Sequence, residues 1–114
     1  MDIFKTANKE VITSLLPVLD DFGRAINQIE KSGDDSLHQG VELINNKLVE
    51  TLRAKGLKEM ETKAGDDFNT DLHEAITQIP APTEDLKGKI VDVVETGYLL
   101  NDVVVRYAKV VVGL

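Results

Sequence analysis

The stretch GYLLNDVVVRYAKVVV, residues 97–112, decides the fold of the C-terminal half of this 114-residue chain. It is rich in valine, and β-branched side chains favour strands because they fit a pleated, half-buried surface. Asn101-Asp102 stands between Leu100 and Val103, where it suits a two-residue hairpin turn, since both residues tolerate positive φ. The stretch therefore predicts antiparallel strands around a tight turn.

Beyond the turn, residues 103–112 are predicted to alternate between the two faces of a strand. The alternation places Val103, Val105 and Tyr107 on one face, and Val104, Arg106, Ala108, Val110 and Val112 on the other. Both faces are apolar, so one of them is a candidate docking surface on this acidic protein. For any single valine, docking and core packing remain open alternatives.

Shorter segments with strand character precede this stretch. Residues 57–61, 75–79 and 89–96 are short apolar or valine-rich runs, whereas residues 63–69 are polar and loop-like. The hydrophobic period changes after Gly56. We therefore predict a helical dimerisation region at residues 1–56 and a small all-β domain at residues 57–114.

The first half of the chain has the spacing of helices. From Phe4 to Ile29, apolar residues recur every three or four positions, through Val11, Leu15, Val18, Phe22, Ala25 and Ile29, with a neighbouring stripe through Ile12, Leu16, Leu19 and Ile26. Pro17 interrupts the pattern, and a proline inside a helix costs about 3 kcal/mol. A kink at Pro17, or two abutting helices, is expected.

A second helix is predicted after the turn-forming residues 31–35. Ser36 and Gln39 have the spacing of a capping box, with Ser36 at the N-cap. Gly56 suits the C-terminal end of the helix. One face of this helix carries Leu37, Val41, Ile44, Leu48 and Leu52.

Two adjacent apolar stripes make a face that is wider than one partner helix covers, so the hairpin cannot bury it alone. We predict an α+β protein whose helical hairpin forms a dimeric four-helix bundle. The predicted dimer interface consists of Val11, Leu15, Val18, Phe22, Val41, Ile44 and Leu48.

Composition limits the function classes. The chain has no cysteine, a net charge of −7 and no apolar run long enough to span a membrane. An acidic surface repels phosphate backbones and anionic lipids, so neither nucleic acid nor a membrane is an expected partner. The N-terminus lacks the pattern of a signal peptide, which favours a cytoplasmic location. The glycines form no phosphate-binding fingerprint, so no cofactor is expected.

The histidines do not predict catalysis. His38 is expected at the surface in the first turn of a helix. His73 and Glu74 are adjacent and do not face one another, and no third ligand follows at usable spacing, so we predict no metal site and no enzyme. His73 is instead predicted to satisfy a local hydrogen bond that shapes a turn.

The chain resembles the GrpE family, the nucleotide-exchange factors of DnaK-type chaperones. The resemblance is carried by two groups of residues in the family's order and spacing. The first is Phe68-Asn69 with His73-Glu74-Ala75-Ile76, and the second is Gly97-Tyr98, Asn101-Asp102, Val105-Arg106 and residues 108–112. Residues 15–26 are also similar to the family's central helix. Family members carry a leader and a long helix before this segment, so we expect this chain to be a trimmed form.

The resemblance implies a co-chaperone whose β domain docks on the ATPase domain of a DnaK-type chaperone and promotes ADP release by stabilising the open cleft. The implied partner-binding residues are Gly40, Val94, Val103, Arg106 and Val112; many family members have an arginine at the position of Val103, and Arg106 matches the arginine of the family pattern. The alternative is a non-catalytic homodimeric adaptor with an unrelated protein partner.

Overall fold

The computed structural model describes residues 3–114, with side chains from residue 7 onward. The chain divides into two compact units, Met1–Leu57 and Lys58–Leu114. The first contains two helices and the second is built from strands, so the predicted α+β class is confirmed. The sequence placed the boundary between the two units after Gly56, and the structure divides them after Leu57. Among the helices in this described part of the chain, none combines the length and apolarity that crossing a membrane requires.

The helical unit consists of α1, Ile3–Ser32, and α2, Asp35–Ala54. Helix α1 is continuous through Pro17, so the alternative of two abutting helices is wrong. The Pro17 side chain is exposed, whereas Leu16 is buried. The ring is therefore accommodated at the solvent side, where the lost backbone hydrogen bond does not disturb the packed face.

The turn between the helices corrects the predicted cap. The N-cap of α2 is Asp34, whose Oδ1 accepts a hydrogen bond from the Leu37 backbone N–H at 3.1 Å. Ser36 instead lies within the first turn of α2. Gly33, at φ 81°, makes the tight reversal that brings Asp34 into the capping position. At the other end of α2, Gly56 has φ 101° and donates to the Arg53 carbonyl, as predicted for a C-terminal glycine.

The hairpin buries most of the second of the two predicted stripes and leaves Ile26 half-buried. Ile12, Leu16 and Leu19 of α1 are buried, and so is Leu52 of α2. The first stripe is left half-buried or exposed within one chain. The helical unit therefore has one covered apolar face and one uncovered apolar face.

The β unit contains six strands in two three-stranded sheets. The strands are β1 (Leu57–Glu59), β2 (His73–Ile79), β3 (Ile90–Glu95), β4 (Tyr98–Leu100), β5 (Val103–Arg106) and β6 (Ala108–Gly113). One sheet has the order β1-β4-β5 and the other β2-β6-β3. In the second sheet β6 is central, parallel to β2 and antiparallel to β3.

The β4–β5 hairpin confirms the predicted turn, because Asn101 and Asp102 have φ 50° and 67°. The prediction of one continuous strand over residues 103–112 is wrong, although the predicted faces are kept, with Val104, Ala108, Val110 and Val112 toward the core and Val103 and Tyr107 exposed. The strand ends at Arg106, Tyr107 lies outside both strands, and β6 begins at Ala108 in the other sheet. The chain therefore changes sheet in the middle of the valine-rich stretch.

The core of the β unit lies around β6. Its buried members are Met60, Ile90, Ala108, Val110 and Val112, with Phe68, Leu72, Val93, Leu99 and Val104 packed against them. Alternate residues of β6 point into this cluster, as strand geometry requires.

Candidate functional site

Two of the predicted partner-binding residues are exposed apolar side chains of the β unit. Val103, the first residue of β5, is 58% exposed, and Val94 in β3 is 55% exposed. Exposed β-branched side chains on strands supply rigid apolar surface to a partner. The two valines remain candidate docking residues.

Val112 has a different environment. It is only 6% exposed and belongs to the core cluster around β6. The expectation that Val112 presents an exposed side chain to a partner is therefore wrong. The error lies in the choice of face, because the face that carries Val104, Ala108, Val110 and Val112 is the one that packs into the core.

Arg106 is fixed within the β unit. Its Nε and Nη2 donate to the Thr96 carbonyl at 2.9 and 2.7 Å, and its Nη1 lies 3.6 Å from Glu95 Oε1. The guanidinium also lies 5.3 Å from the centre of the Tyr98 ring, within the range of cation–π attraction. Arg106 thereby holds the turn that joins β3 to β4 and, through it, the end of the strand that carries Val94.

The predicted dimer residues lie on the uncovered face of the helical unit. Val11, Val18 and Ile44 are exposed, whereas Leu15, Phe22, Val41 and Leu48 are half-buried. None of the seven is fully buried within one chain. Gly40 lies on the same helix as Ile44, and a Cβ added there would meet nothing within 4 Å. Packing within this chain therefore does not require a glycine at position 40.

Phe68, Asn69 and His73 form a closed turn. The Asn69 backbone N–H donates to His73 Nδ1 at 3.0 Å, and the His73 N–H donates to the Asn69 carbonyl at 2.8 Å. His73 is buried, and its ring centre lies 6.1 Å from that of Phe68. The prediction that His73 satisfies a local hydrogen bond is confirmed. Burial lowers the pKa of His73 below its usual 6.5, against the opposing charge of Asp66.

Position 97 requires a glycine because the Ala108 backbone and the Met60 side chain lie too close for a Cβ. A Cβ at this position would lie 2.5 Å from the Ala108 nitrogen and 2.5 Å from Met60 Sδ. The Gly97 carbonyl accepts from the Met60 N–H at 2.9 Å. Gly97 and His73 are thus both structural parts of the β unit.

An open groove in the β unit was not predicted from the sequence. Its volume is about 400 Å³, and it is lined by Lys58, Glu59, Met60, Glu61, Thr62, Asp66, Asp67, Asn69, Leu72, His73 and Leu99. At its rim Lys89 forms an ion pair with Asp67, and this hydrogen bond and charge lower the pKa of the Asp67 carboxyl. Within the part of the chain that the structure describes, no group of three potential ligands is placed to hold a metal ion.

Further apolar side chains are exposed, and of these Ile76 and Leu43 were not predicted. Tyr107 at the change of sheet, Ile76 in β2 and Leu43 in α2 are all exposed. Tyr107 lies on the strand face that the alternation assigned to Val103. Ile76 lies where the β2–β6 register shifts, between Ala75 and Thr77, and no local sequence signal marks that shift.

The fold is that of a protein with a helical hairpin and a β unit that carries exposed apolar side chains. Comparison with known proteins gives the family. The GrpE family model matches residues 1–113, and the chain belongs to the GrpE family.

Several curated relatives are similar over almost the whole chain. "Protein GrpE" of Bacteroides thetaiotaomicron is 50% identical over 113 residues, covering 98% of this chain and 58% of the relative. "Protein GrpE" of Porphyromonas gingivalis is 43% identical with the same two coverages. "Protein GrpE" of Thermotoga maritima is 40% identical over 114 residues, covering 99% of this chain and 63% of the relative. The chain thus spans about three fifths of the length of these relatives.

Proposed function

We propose that this chain acts as a nucleotide-exchange factor and co-chaperone that promotes ADP release from the ATPase domain of a DnaK-type chaperone. The observation that carries the proposal is membership in the GrpE family over residues 1–113. The exposed valines of the β unit support it, because they supply apolar contact surface on a chain of net charge −7. The chain is proposed to bind protein and to catalyse no covalent chemistry.

The proposed mechanism is differential binding. The β unit docks through Val94 and Val103 on the open form of the chaperone's nucleotide cleft, while Arg106 keeps the β3–β4 turn in place. A factor that bound the open and closed forms equally would leave the equilibrium between them unchanged, so the factor must bind the open form more tightly. Because the coupling is reciprocal, nucleotide bound in the closed cleft lowers the affinity of the chaperone for the factor.

The proposed assembly is a homodimer in the cytoplasm. The uncovered helical face provides the interface, through Val11, Leu15, Val18, Phe22, Val41, Ile44 and Leu48. Covering this face removes apolar surface from water in both copies. Gly40 is proposed to allow close approach of a partner, since nothing in its own chain occupies that space.

Release of fluorescently labelled ADP from a cognate DnaK-type chaperone tests the proposal. The wild-type chain is expected to accelerate release, and Val103→Asp or Val94→Asp to lower that acceleration about tenfold or more, equivalent to about 1.4 kcal/mol. An aspartate in the contact would be buried without a partner. Ile76→Asp, at an exposed position in β2, is the matched control and is expected to retain exchange.

Circular dichroism checks that each variant is folded. If the wild-type chain does not accelerate ADP release, the exchange function is wrong. If Val103→Asp, Val94→Asp and Ile76→Asp all retain full exchange, the function stands but the docking residues lie elsewhere.

A further inference from the structure

Among residues 7–114 the buried side chains include no aspartate, glutamate, lysine or arginine, and His73 is the one buried histidine. Its two ring nitrogens have different partners. Nδ1 accepts a hydrogen bond from the Asn69 backbone N–H at 3.0 Å, so in the neutral ring the proton is on Nε2. Nε2 lies 3.4 Å from Thr62 Oγ1 and donates to it. The turn therefore holds one tautomer of the neutral imidazole.

Protonation is incompatible with this arrangement. An imidazolium carries N–H groups on both nitrogens, so Nδ1–H would face the Asn69 N–H, donor against donor. The backbone N–H would then be left without a partner in a partly buried place, and such a group costs free energy. Rotating the ring would not remove the conflict without also breaking the contact with Thr62.

The charged side chains near His73 include both acidic and basic groups. Glu59, Glu61, Asp66 and Asp67 line the same groove and favour the imidazolium, whereas Lys58 opposes it. On the strands, Glu74 follows His73 and pairs in register with Lys109 of β6. Burial outweighs the opposing charge of Asp66 and lowers the pKa of His73, which favours the neutral ring near neutral pH.

The closed turn also positions side chains that pack against the core of the β unit. Phe68 and Leu72 pack against the buried cluster around β6, and the Leu72 carbonyl accepts from the Ala108 N–H at 3.1 Å. Leu72 lies within the segment that the Asn69–His73 bonds close, and Phe68 directly precedes it. Opening the turn would therefore loosen two apolar side chains and the start of the β2–β6 pairing.

We propose that the Phe68–His73 turn is an acid-sensitive latch: protonation of His73 releases the Asn69 N–H and loosens the β unit, while the helical unit keeps its structure. The consequence is a protein whose β unit is ordered at neutral pH and becomes labile as the pH falls. This inference concerns the stability of the β unit and stands independently of the proposed exchange function.

Amide hydrogen exchange by NMR on the full chain tests the latch. As the pH is lowered from about 7.5 to about 5, the protection factor of the Asn69 amide in the wild type is expected to fall about tenfold or more. His73→Asn keeps an acceptor near the position of Nδ1 and cannot titrate in this range, so its Asn69 amide is expected to stay protected. His38→Gln removes the other histidine, which lies in α2, and is expected to behave like the wild type.

Two results would overturn the proposal. One is an equal loss of protection in wild type and His73→Asn, which would assign the pH dependence to the carboxylates. The other is measured on the wild type alone and therefore applies even if His73→Asn does not fold. The NMR titration of the His73 ring and the loss of Asn69 amide protection are expected to share one midpoint pH. Two separate midpoints would refute the latch.

Discussion

Replacing Ile44 by aspartate tests the proposed dimer. Ile44 lies on α2 and is 61% exposed within one chain. In a monomeric hairpin the aspartate would remain in water, so the variant is expected to fold with unchanged helix content. In the dimer the same carboxylate would lie in the apolar interface without a partner. The variant is therefore expected to lose association and to keep its fold.

The magnitude follows from the exposed area. Burying a whole isoleucine side chain contributes about 1.5–3 kcal/mol. Covering the 61% of Ile44 that is exposed therefore contributes about 1–2 kcal/mol, and a twofold dimer contains the contact twice. The loss is about 2–4 kcal/mol per dimer, which weakens association by about 30-fold to about 700-fold. Desolvating the two carboxylates adds to this loss.

Analytical ultracentrifugation at micromolar concentration measures the effect. The wild type is expected at twice the chain mass of 12.6 kDa and Ile44→Asp at the chain mass. Leu43→Asp is the matched control, since Leu43 is the neighbouring residue, is 73% exposed and lies outside the predicted interface. It should remain dimeric. A wild-type monomer with intact helices, or equal dissociation of both variants, would refute the assignment of this face.

Three further changes test the packing within each unit. Asp34→Ala removes the N-cap of α2 and should lower the free energy of unfolding by about 0.5–2 kcal/mol in chemical denaturation. Asp34→Asn keeps a capping oxygen and should retain most of the stability that the cap provides. Gly97→Ala places a Cβ 2.5 Å from the Ala108 nitrogen and should cost about 1–3 kcal/mol in thermal unfolding; an unchanged melting temperature would contradict the close approach. Val112→Asp puts a charge in the core, so amide exchange should show an unfolded β unit beside intact helices; a protected β6 would disprove the burial.

Local residue types determined much of the architecture. The spacing of apolar residues identified the helical region and the two apolar stripes of α1. Asn101-Asp102 identified the β4–β5 turn, and Gly56 the end of α2, because positive φ is a property of a few residue types. Residues 68–76 and 97–112 were sufficient to identify the family. These features depend on short-range geometry or on a pattern of residues, and both are visible in the sequence.

The tertiary structure alone decided which surfaces the candidate residues occupy. Val103 and Val112 have the same side chain, and strand alternation already placed them on opposite faces. Only the pairing of the strands decided that the face of Val112 is buried and that the face of Val103 is exposed. Arg106 matched the family pattern, but its bonds to the Thr96 carbonyl appear only once β4 and β5 are paired. Asp34 replaced Ser36 as the cap because Gly33 sets the geometry of the turn. Strand pairing, and the parallel β2–β6 pair above all, joins residues far apart in the chain. Its register fixes which face of each strand is covered, and short-range sequence patterns do not contain that information.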